Sequence, residues 1–536
     1  GRFYKASEKF FESLIQHYGT TLRWVLDREK STLLVAIATL IGTMLLYVVV
    51  PKGFFPVQDT GVIQGISEAP QSISFSAMAQ RQQSLSKVIL QDPAVQSLSS
   101  FIGVDGTNVT QNSGRILINL KPLSERKISA TDVIRRLQPK LAKVSGITLY
   151  MQPIQDLSVE DRVSRTEFQY TLEDPNGAEL QTWSQRLLEK FQTLKELSDV
   201  ASDQQNGGLE AKLVIDRDTA SRLGISTQQI DDTLYDAFGQ RFVSTLYTQL
   251  NQYHVVMEVA PRFWQNPDTL KEIYVHSSTG TVVPLSAFTH FEESNTPLAV
   301  NHQGQFPSVT LSFNLAPGFA LGDAVKAIEN AEHQMGLPAS IRASFEGTAQ
   351  AFQSSLSNEP LLILAALITV YIVLGVLYES TIHPITILST LPSAGVGAIL
   401  ALLICRTELS VIAVIGIILL IGIVKKNAIM MIDFALEAER KEGKSPRDSI
   451  YEACLLRFRP IMMTTMAALL AGLPLALGTG VGSELRRPLG ISIVGGLMLS
   501  QILTLYTTPV VYLAFDRLAH RKKHHAASGE NLLSEY

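Results

Sequence analysis

Six separate runs of this chain are apolar for long enough to cross a bilayer, and that constrains its fold more than any other feature. A spanning helix needs about 20 mostly apolar residues. Thr32 to Val50, Pro360 to Tyr378, Pro384 to Cys405, Ser410 to Phe434, Pro460 to Thr479 and Gly490 to Phe515 each qualify. The roughly 300 residues between the first and second runs are mixed and soluble-looking. The overall 46% hydrophobic and 18% charged content therefore averages two kinds of segment.

Charge orients these spans. Lys and Arg gather before the first (Lys5, Lys9, Arg23, Arg28, Lys30), between the fourth and fifth (Arg440, Lys441, Lys444, Arg447) and after the sixth (Arg517, Arg521, Lys522, Lys523). The positive-inside rule puts all three clusters in the cytoplasm and the large block on the periplasm-like side. Ahead of the first span, Phe3, Tyr4, Phe10, Phe11, Leu14, Ile15 and Tyr18 recur at helical spacing among charged residues. This reads as an amphipathic helix on the inner surface of membrane lipid, the alternative being an ordinary helix packed on an upstream partner.

The chemistry in the spans is a lysine pair. Lys425 and Lys426 lie mid-way in an apolar run with no other charge before Asp433. A charge at mid-membrane costs ~2.5–3.5 kcal/mol on insertion scales, so it survives where it faces protein and handles ions. Lys426 and Asp433 are two helical turns apart and share a face, while adjacent Lys425 points ~100° away. Arg457 and Thr464 in the fifth span share a face for the same reason. The plain alternatives to such ion chemistry are a static ion pair for Lys426 and headgroup anchoring for Arg457. The acidic residues of the six spans sit at their rims.

The soluble block alternates strand and helix signals. Strands are expected at Val62 to Ile66, Arg115 to Leu120, Thr148 to Gln152, Glu167 to Leu172 and Lys212 to Ile215. Helices are expected at Ser76 to Leu90, Thr131 to Val144 and Leu180 to Leu194. The pattern suits tandem β-α-β units of ferredoxin-like type. From Phe242 to Phe313 strands and turns dominate, a β-rich insertion, before a helix from Leu321 to Glu332.

Several motifs now carry a family resemblance: Pro51-Lys52-Gly53-Phe54-Phe55-Pro56 with Asp59 and Gly61, Leu223-Gly224-Ile225-Ser226, Val283-Pro284-Leu285-Ser286, Leu377-Tyr378-Glu379-Ser380, Lys426-Asn427-Ala428-Ile429, and Arg457 to Thr464. In order and spacing they resemble the C-terminal half of resistance-nodulation-division (RND) drug efflux pumps. The resemblance implies a proton/drug antiporter of the bacterial inner membrane rather than an enzyme. The fold it implies is an α-helical membrane bundle of six helices, the second RND repeat, with a large periplasmic α/β domain of ferredoxin-like porter subdomains and a β-rich docking insertion. The implied layout is an interfacial helix over 1–31, a span over 32–51, porter over 52–215, docking insertion over 216–300, porter over 301–356, five spans over 357–516 and a cytoplasmic tail over 517–536.

The implied partners are the N-terminal half of the same subunit, a second RND subunit in a trimer, a periplasmic adaptor, a TolC-type outer-membrane channel and small-molecule drugs. The chain opens at Gly1 rather than Met and is taken as a fragment of that longer subunit. By resemblance Lys426, Arg457 and Thr464 belong to a proton relay completed by an aspartate pair in the first half, with Asn427 or Thr464 receiving the lysine when those carboxylates are protonated. Phe101 to Gly114, with Gly103 and Gly106, matches the glycine-bearing loop between two drug pockets. Members that export bulky apolar drugs carry several phenylalanines there, whereas this chain keeps Phe101; plain core packing is the alternative for that ring.

Other chemistries lack a basis. A net charge of -4 gives no case for nucleic acid, and two cysteines, Cys405 and Cys454, support neither a disulfide framework nor a cofactor. No Walker motif, nucleophile elbow or zinc ligand cluster occurs, so no metal or other cofactor is expected. Two other function classes stay open. One is a protein-export accessory of the SecD/SecF kind, which lacks an insertion like that around Phe242 to Ser286; the other is a non-transporting assembly subunit.

Overall fold

The computed structural model describes residues 2–103, 110–159, 163–263 and 266–533. They form two compact units, one of residues 1–69, 75–203 and 301–536, the other of residues 70–74 and 204–300.

In the first unit, α1 (Arg2–Leu26) turns at Asp27–Arg28 into α2 (Glu29–Val49). α1 is amphipathic as expected, but Tyr18, Leu22 and Leu26 are buried in the inner core of the bundle. The Tyr18 hydroxyl donates to the Leu505 carbonyl at 2.8 Å, and its ring stacks on Phe458. That part of the apolar face is used inside the protein, while Trp24 stays exposed.

The first α/β layer is β1 (Val62–Glu68), α3 (Phe75–Leu90), β2 (Val95–Ile102), β3 (Ser113–Leu120), the short α4 (Leu123–Arg126), α5 (Ala130–Leu141) and β4 (Thr148–Pro153). The strands lie in the order β2-β3-β1-β4, every neighbour antiparallel. Ile63, Ile66, Ile116 and Ile118 of the sheet and Met78, Leu85, Val133 and Leu137 of the helices are fully buried. One buried ion pair closes this layer. Arg126 meets Asp59, whose other oxygen accepts the Ala130 N–H that opens α5, at 3.0 Å. The carboxylate thus sits at a helix N-terminus, where the dipole favours it.

The second layer starts with β5 (Phe168–Glu173), α6 (Gly177–Gln192) and β6 (Leu197–Ser202). The chain then leaves for the second unit: β7 (Gly208–Ile215), α7 (Arg217–Arg222), α8 (Thr227–Phe238), β8 (Arg241–Tyr247), β9 (Gln252–Met257), β10 (Tyr274–His276), β11 (Val282–Pro284) and β12 (Thr289–Thr296). Here β7 pairs along its whole length with β12, so the strand expected to close the porter block belongs to this unit. α7 and α8 are absent from the sequence reading. Asp216 and Ser226 cap them, the latter in a capping box with Gln229. Ile225, Ile230, Val275, Leu285 and Phe288 form the unit's core.

The chain returns with β13 (His302–Gln303), β14 (Phe306–Leu315), α9 (Leu321–Met335) and β15 (Arg342–Glu346). β14 lies between β5 and β6, and β15 on the other side of β5. The strand order β15-β5-β14-β6 repeats that of the first layer, so the second unit is an insertion between the second and third strands of a duplicated β-α-β-β-α-β pattern.

The bundle follows as α10 (Gly347–Tyr378), α11 (His383–Leu388), α12 (Leu391–Ile404), α13 (Val411–Glu442), α14 (Pro446–Ala476) and α15 (Ser483–Leu533). With α2 it supplies six candidate spans. The third is broken at Ser389–Thr390. Pro392 disfavours helix just before it, and the Ser389 and Thr390 hydroxyls bond back to Thr386 and Ile387 carbonyls. α10 and α14 begin well before their apolar runs. α14 is capped by Ser445 with Pro446 in its first turn, a signal independent of hydropathy. α15 packs against α12, α13 and α14. Glycines make the α12 crossing possible: a Cβ on Gly495 would lie 2.2 Å from Ala401 Cβ, and one on Gly397 2.6 Å from the Gly495 carbonyl oxygen.

An exposed lysine beside a buried polar cluster in the bundle

Asn427, one residue after the lysine pair, points inward. It is 6% exposed, and its Nδ2 donates to Thr465 Oγ1 at 3.1 Å and to Gln501 Oε1 at 3.2 Å. Gln501 Nε2 in turn reaches the Met462 sulfur at 3.4 Å. Three spanning helices are therefore joined by an amide-hydroxyl-amide cluster in apolar surroundings, where an unpaired polar group is expensive.

Helical geometry then sets the lysines. With Asn427 inward, Lys426 is exposed and Lys425 half-buried. Lys426 shares an exposed stripe of α13 with Ile415, Leu419, Gly422 and Asp433. Among the described residues neither lysine forms an ion pair. Arg457 lies on α14 with its guanidinium 3.5 Å from the Phe434 ring centroid and its Nε buried without a hydrogen-bond partner among the described residues. Thr464 is half-buried, and its hydroxyl bonds back to the Ile461 carbonyl at 3.1 Å. Asn427 is thus the one sequence-named member in the buried cluster. Thr465 and Gln501 were missed, although an amide alone in an apolar span was a signal for Gln501.

The outer end of α13 is tied to the α/β part. Leu409 N–H donates to Pro51 O at 2.8 Å, Val411 N–H to Phe54 O at 3.1 Å, and Gly322 N–H, at the start of α9, to Lys52 O at 3.0 Å. The linker after α2 thereby joins the helix bearing Lys426 to the second α/β layer. Above it lies a cavity of about 530 Å3, lined among others by Phe55, Gln138, Met151, Asp199, Asn314 and Glu408. Burial raises the Glu408 carboxyl above the usual carboxylate range, and Asp323 adds to the shift.

The proposed drug loop is partly described. Phe101, next to last in β2, lies opposite Arg115 and is 53% exposed, which does not suit core packing. Gly103 has φ +83° and donates its N–H to Ser113 O at 2.8 Å. Gly114 lies in β3, where a Cβ would meet the Phe101 oxygen at 2.6 Å and Gln82 Nε2 at 2.7 Å; close packing explains this glycine. Gly106 lies outside the described residues.

A duplicated α/β part thus accompanies a bundle of six candidate spans with a lysine pair in one of them. Residues 1–516 match the profile of the AcrB/AcrD/AcrF family, and the chain belongs to that family. Among solved structures it is similar to a heavy metal efflux pump in crystal form II, at TM-score 0.85 and 22% identity over 95% of this chain and 53% of the other. Crystal form I of a heavy metal efflux pump matches at TM-score 0.81 and 22% identity, over 92% and 51%. The chain spans about half the length of the solved structures it matches.

Proposed function

We propose that this chain is the second half of a proton-driven RND efflux subunit that moves small amphipathic compounds out of the inner membrane and periplasm. The observation that carries the reading is Lys426, exposed in mid-span with no ion-pair partner among the described residues. A lysine facing lipid there would cost ~2.5–3.5 kcal/mol, so its face is built for another protein surface bearing carboxylates. A first six-helix half supplies that surface, with an aspartate pair that Lys426 holds ionised.

Protonation of those carboxylates frees the lysine, and Asn427 or Thr464 receives it, with Arg457 a further member of the relay. The resulting shift of α13 reaches the α/β part through the Pro51–Phe54 ties. The two α/β layers serve as ferredoxin-like porter subdomains and the unit at 204–300 as the docking insertion. The drug-gating loop of this reading runs from Phe101 and Gly103 through Gly106 to Gly114, whose lack of a side chain serves close packing in β3 rather than loop freedom.

In detail, Gln91 to Ser97 and Ile423 to Lys426 resemble the B subunit of the MdtBC multidrug pump. The partners that follow are an MdtC-like RND subunit in a trimer, an MdtA-like adaptor and a TolC-type outer-membrane channel. The fold neighbours that export heavy metals make a metal ion the competing cargo.

Lys426→Met in the assembled pump tests the reading. Drug efflux should be lost at normal membrane levels, while Lys425→Met is milder; full activity in both variants would refute it. Transport of metal ions but no organic cation would correct the cargo alone.

A further inference from the structure

At the end of the bundle away from the α/β part, titratable side chains from four helices gather around one histidine. Tyr378 ends α10, His383 opens α11, Asp433, Glu439 and Arg440 lie towards the end of α13, and Tyr512 and Asp516 lie on α15. The His383 ring stacks on Tyr512 with centroids 6.2 Å apart and meets Tyr378 at 6.2 Å and 61°. The Tyr512 hydroxyl donates to Glu439 Oε1 at 2.8 Å. Arg440 of α13 and Asp516 of α15 are the charges that act on His383, and these helices and α10 are the elements that pack on α11.

One feature has no packing explanation. The Tyr378 hydroxyl is buried and meets no partner at strict hydrogen-bond geometry among the described residues, yet the Asp433 carboxylate lies within reach as its acceptor. Asp433 lies on the same exposed stripe of α13 as Lys426, ~10 Å further along the helix axis. A line of acid, phenol and imidazole thus leads from the neighbourhood of Lys426 to the inner end of the bundle.

We propose that Asp433, Tyr378 and His383 form the inner proton exit of the antiporter, with His383 handing the proton to the aqueous phase on that side. The proposal rests on the relay reading of Lys426. In the step, the protonated Asp433 carboxyl gives its proton to the Tyr378 oxygen as that hydroxyl passes its own, directly or through a water, to a free ring nitrogen of His383. The phenol is regenerated, and the imidazolium N–H then breaks to water. Histidine suits the last place because an imidazole can both accept a proton from the phenol and release it to water at the aqueous edge. Arg440 opposes a second positive charge and favours release, while Glu439 and Asp516 draw the proton outward.

The test uses the complete pump in liposomes, with the pH on the His383 side varied from about 5.5 to 8.5. His383→Phe keeps a stacking ring and removes the titratable nitrogens; Tyr378→Phe keeps the packing and removes the hydroxyl. The parent should show efflux rising with inner pH through a single step. His383→Phe should lower the rate about tenfold or more near pH 7 and erase that step, with the outer-pH dependence kept. Tyr378→Phe should lower the rate and keep the step.

An unchanged rate and profile in His383→Phe overturns the proposal. So does a uniform loss with the step intact, since that marks a packing role. Lys426→Met in the same vesicles separates the two readings. If it stays coupled, the relay reading fails; if it is dead while His383→Phe behaves as the parent, only the exit fails.

Discussion

Removing the Asp59 carboxylate should loosen one helix far more than its neighbours. Arg126 is 1% exposed and Asp59 7%, so their ion pair is dry, and the same carboxylate accepts the first N–H of α5. In Asp59→Ala the guanidinium keeps its bonds to the Lys121 and Ile128 carbonyls but loses its counter-charge. Breaking one side of a buried pair costs ~3–5 kcal/mol. If that loss falls on local opening of α5 and the adjoining end of β1, amide exchange there should speed up by roughly two to three and a half orders of magnitude, at ~1.4 kcal/mol per tenfold. Hydrogen–deuterium exchange by mass spectrometry reads this segment by segment, with α13 as an unaffected internal reference. Asp59→Leu combined with Arg126→Met should recover most of the loss, because a buried pair replaced by apolar groups of similar volume is often neutral. Exchange in α5 within about threefold of the parent in the single variant would show that water or another group takes over the guanidinium, refuting the reasoning.

Glu408 gives a pH prediction. Its carboxyl is raised in the folded chain, so folding takes up a proton between the ordinary carboxylate pKa and the raised one, and stability falls as pH rises through that window. Glu408→Gln should therefore melt higher than the parent near pH ~7 and converge with it below about pH 4, as followed by thermal unfolding in detergent; a variant less stable at neutral pH would contradict the assignment. Phe101→Ala should slow efflux of large substrates more than small ones, measured as relative rates across a size series. It is a cleaner probe than Gly103→Pro, because a proline cannot adopt φ +83° and would delete the hydrogen bond to Ser113. A uniform loss across sizes would remove the loop from the drug path.

The sequence is readable wherever a local pattern decides the outcome. Apolar length alone located the six helices long and apolar enough to span a membrane, and alternation located β1, β3, β4 and β5 within a few residues. Span ends were misjudged where the helix continues into polar sequence, as in α14, because the cap at Ser445 rather than hydropathy starts it. The Ser226–Gln229 box was equally local and could have announced α8. The buried cluster was only half legible. Thr464 and Thr465 are adjacent, and which of them meets Asn427 depends on how α14 rolls against α15, a long-range packing result. The repeated strand order, with the second unit inserted between two strands of the second layer, is likewise a matter of non-local pairing.

The central claim is that this chain carries the cationic side of a relay whose carboxylates lie in another polypeptide segment. Its most direct test is proton-coupled drug efflux in liposomes, comparing the purified chain with the same chain assembled with a first-half segment that carries the aspartate pair. The account predicts no coupled transport by the chain alone, where Lys426 and Arg457 supply cations but no facing carboxylate pair, and transport on assembly that Lys426→Met abolishes. Proton-driven efflux by the purified chain without a first half would contradict it.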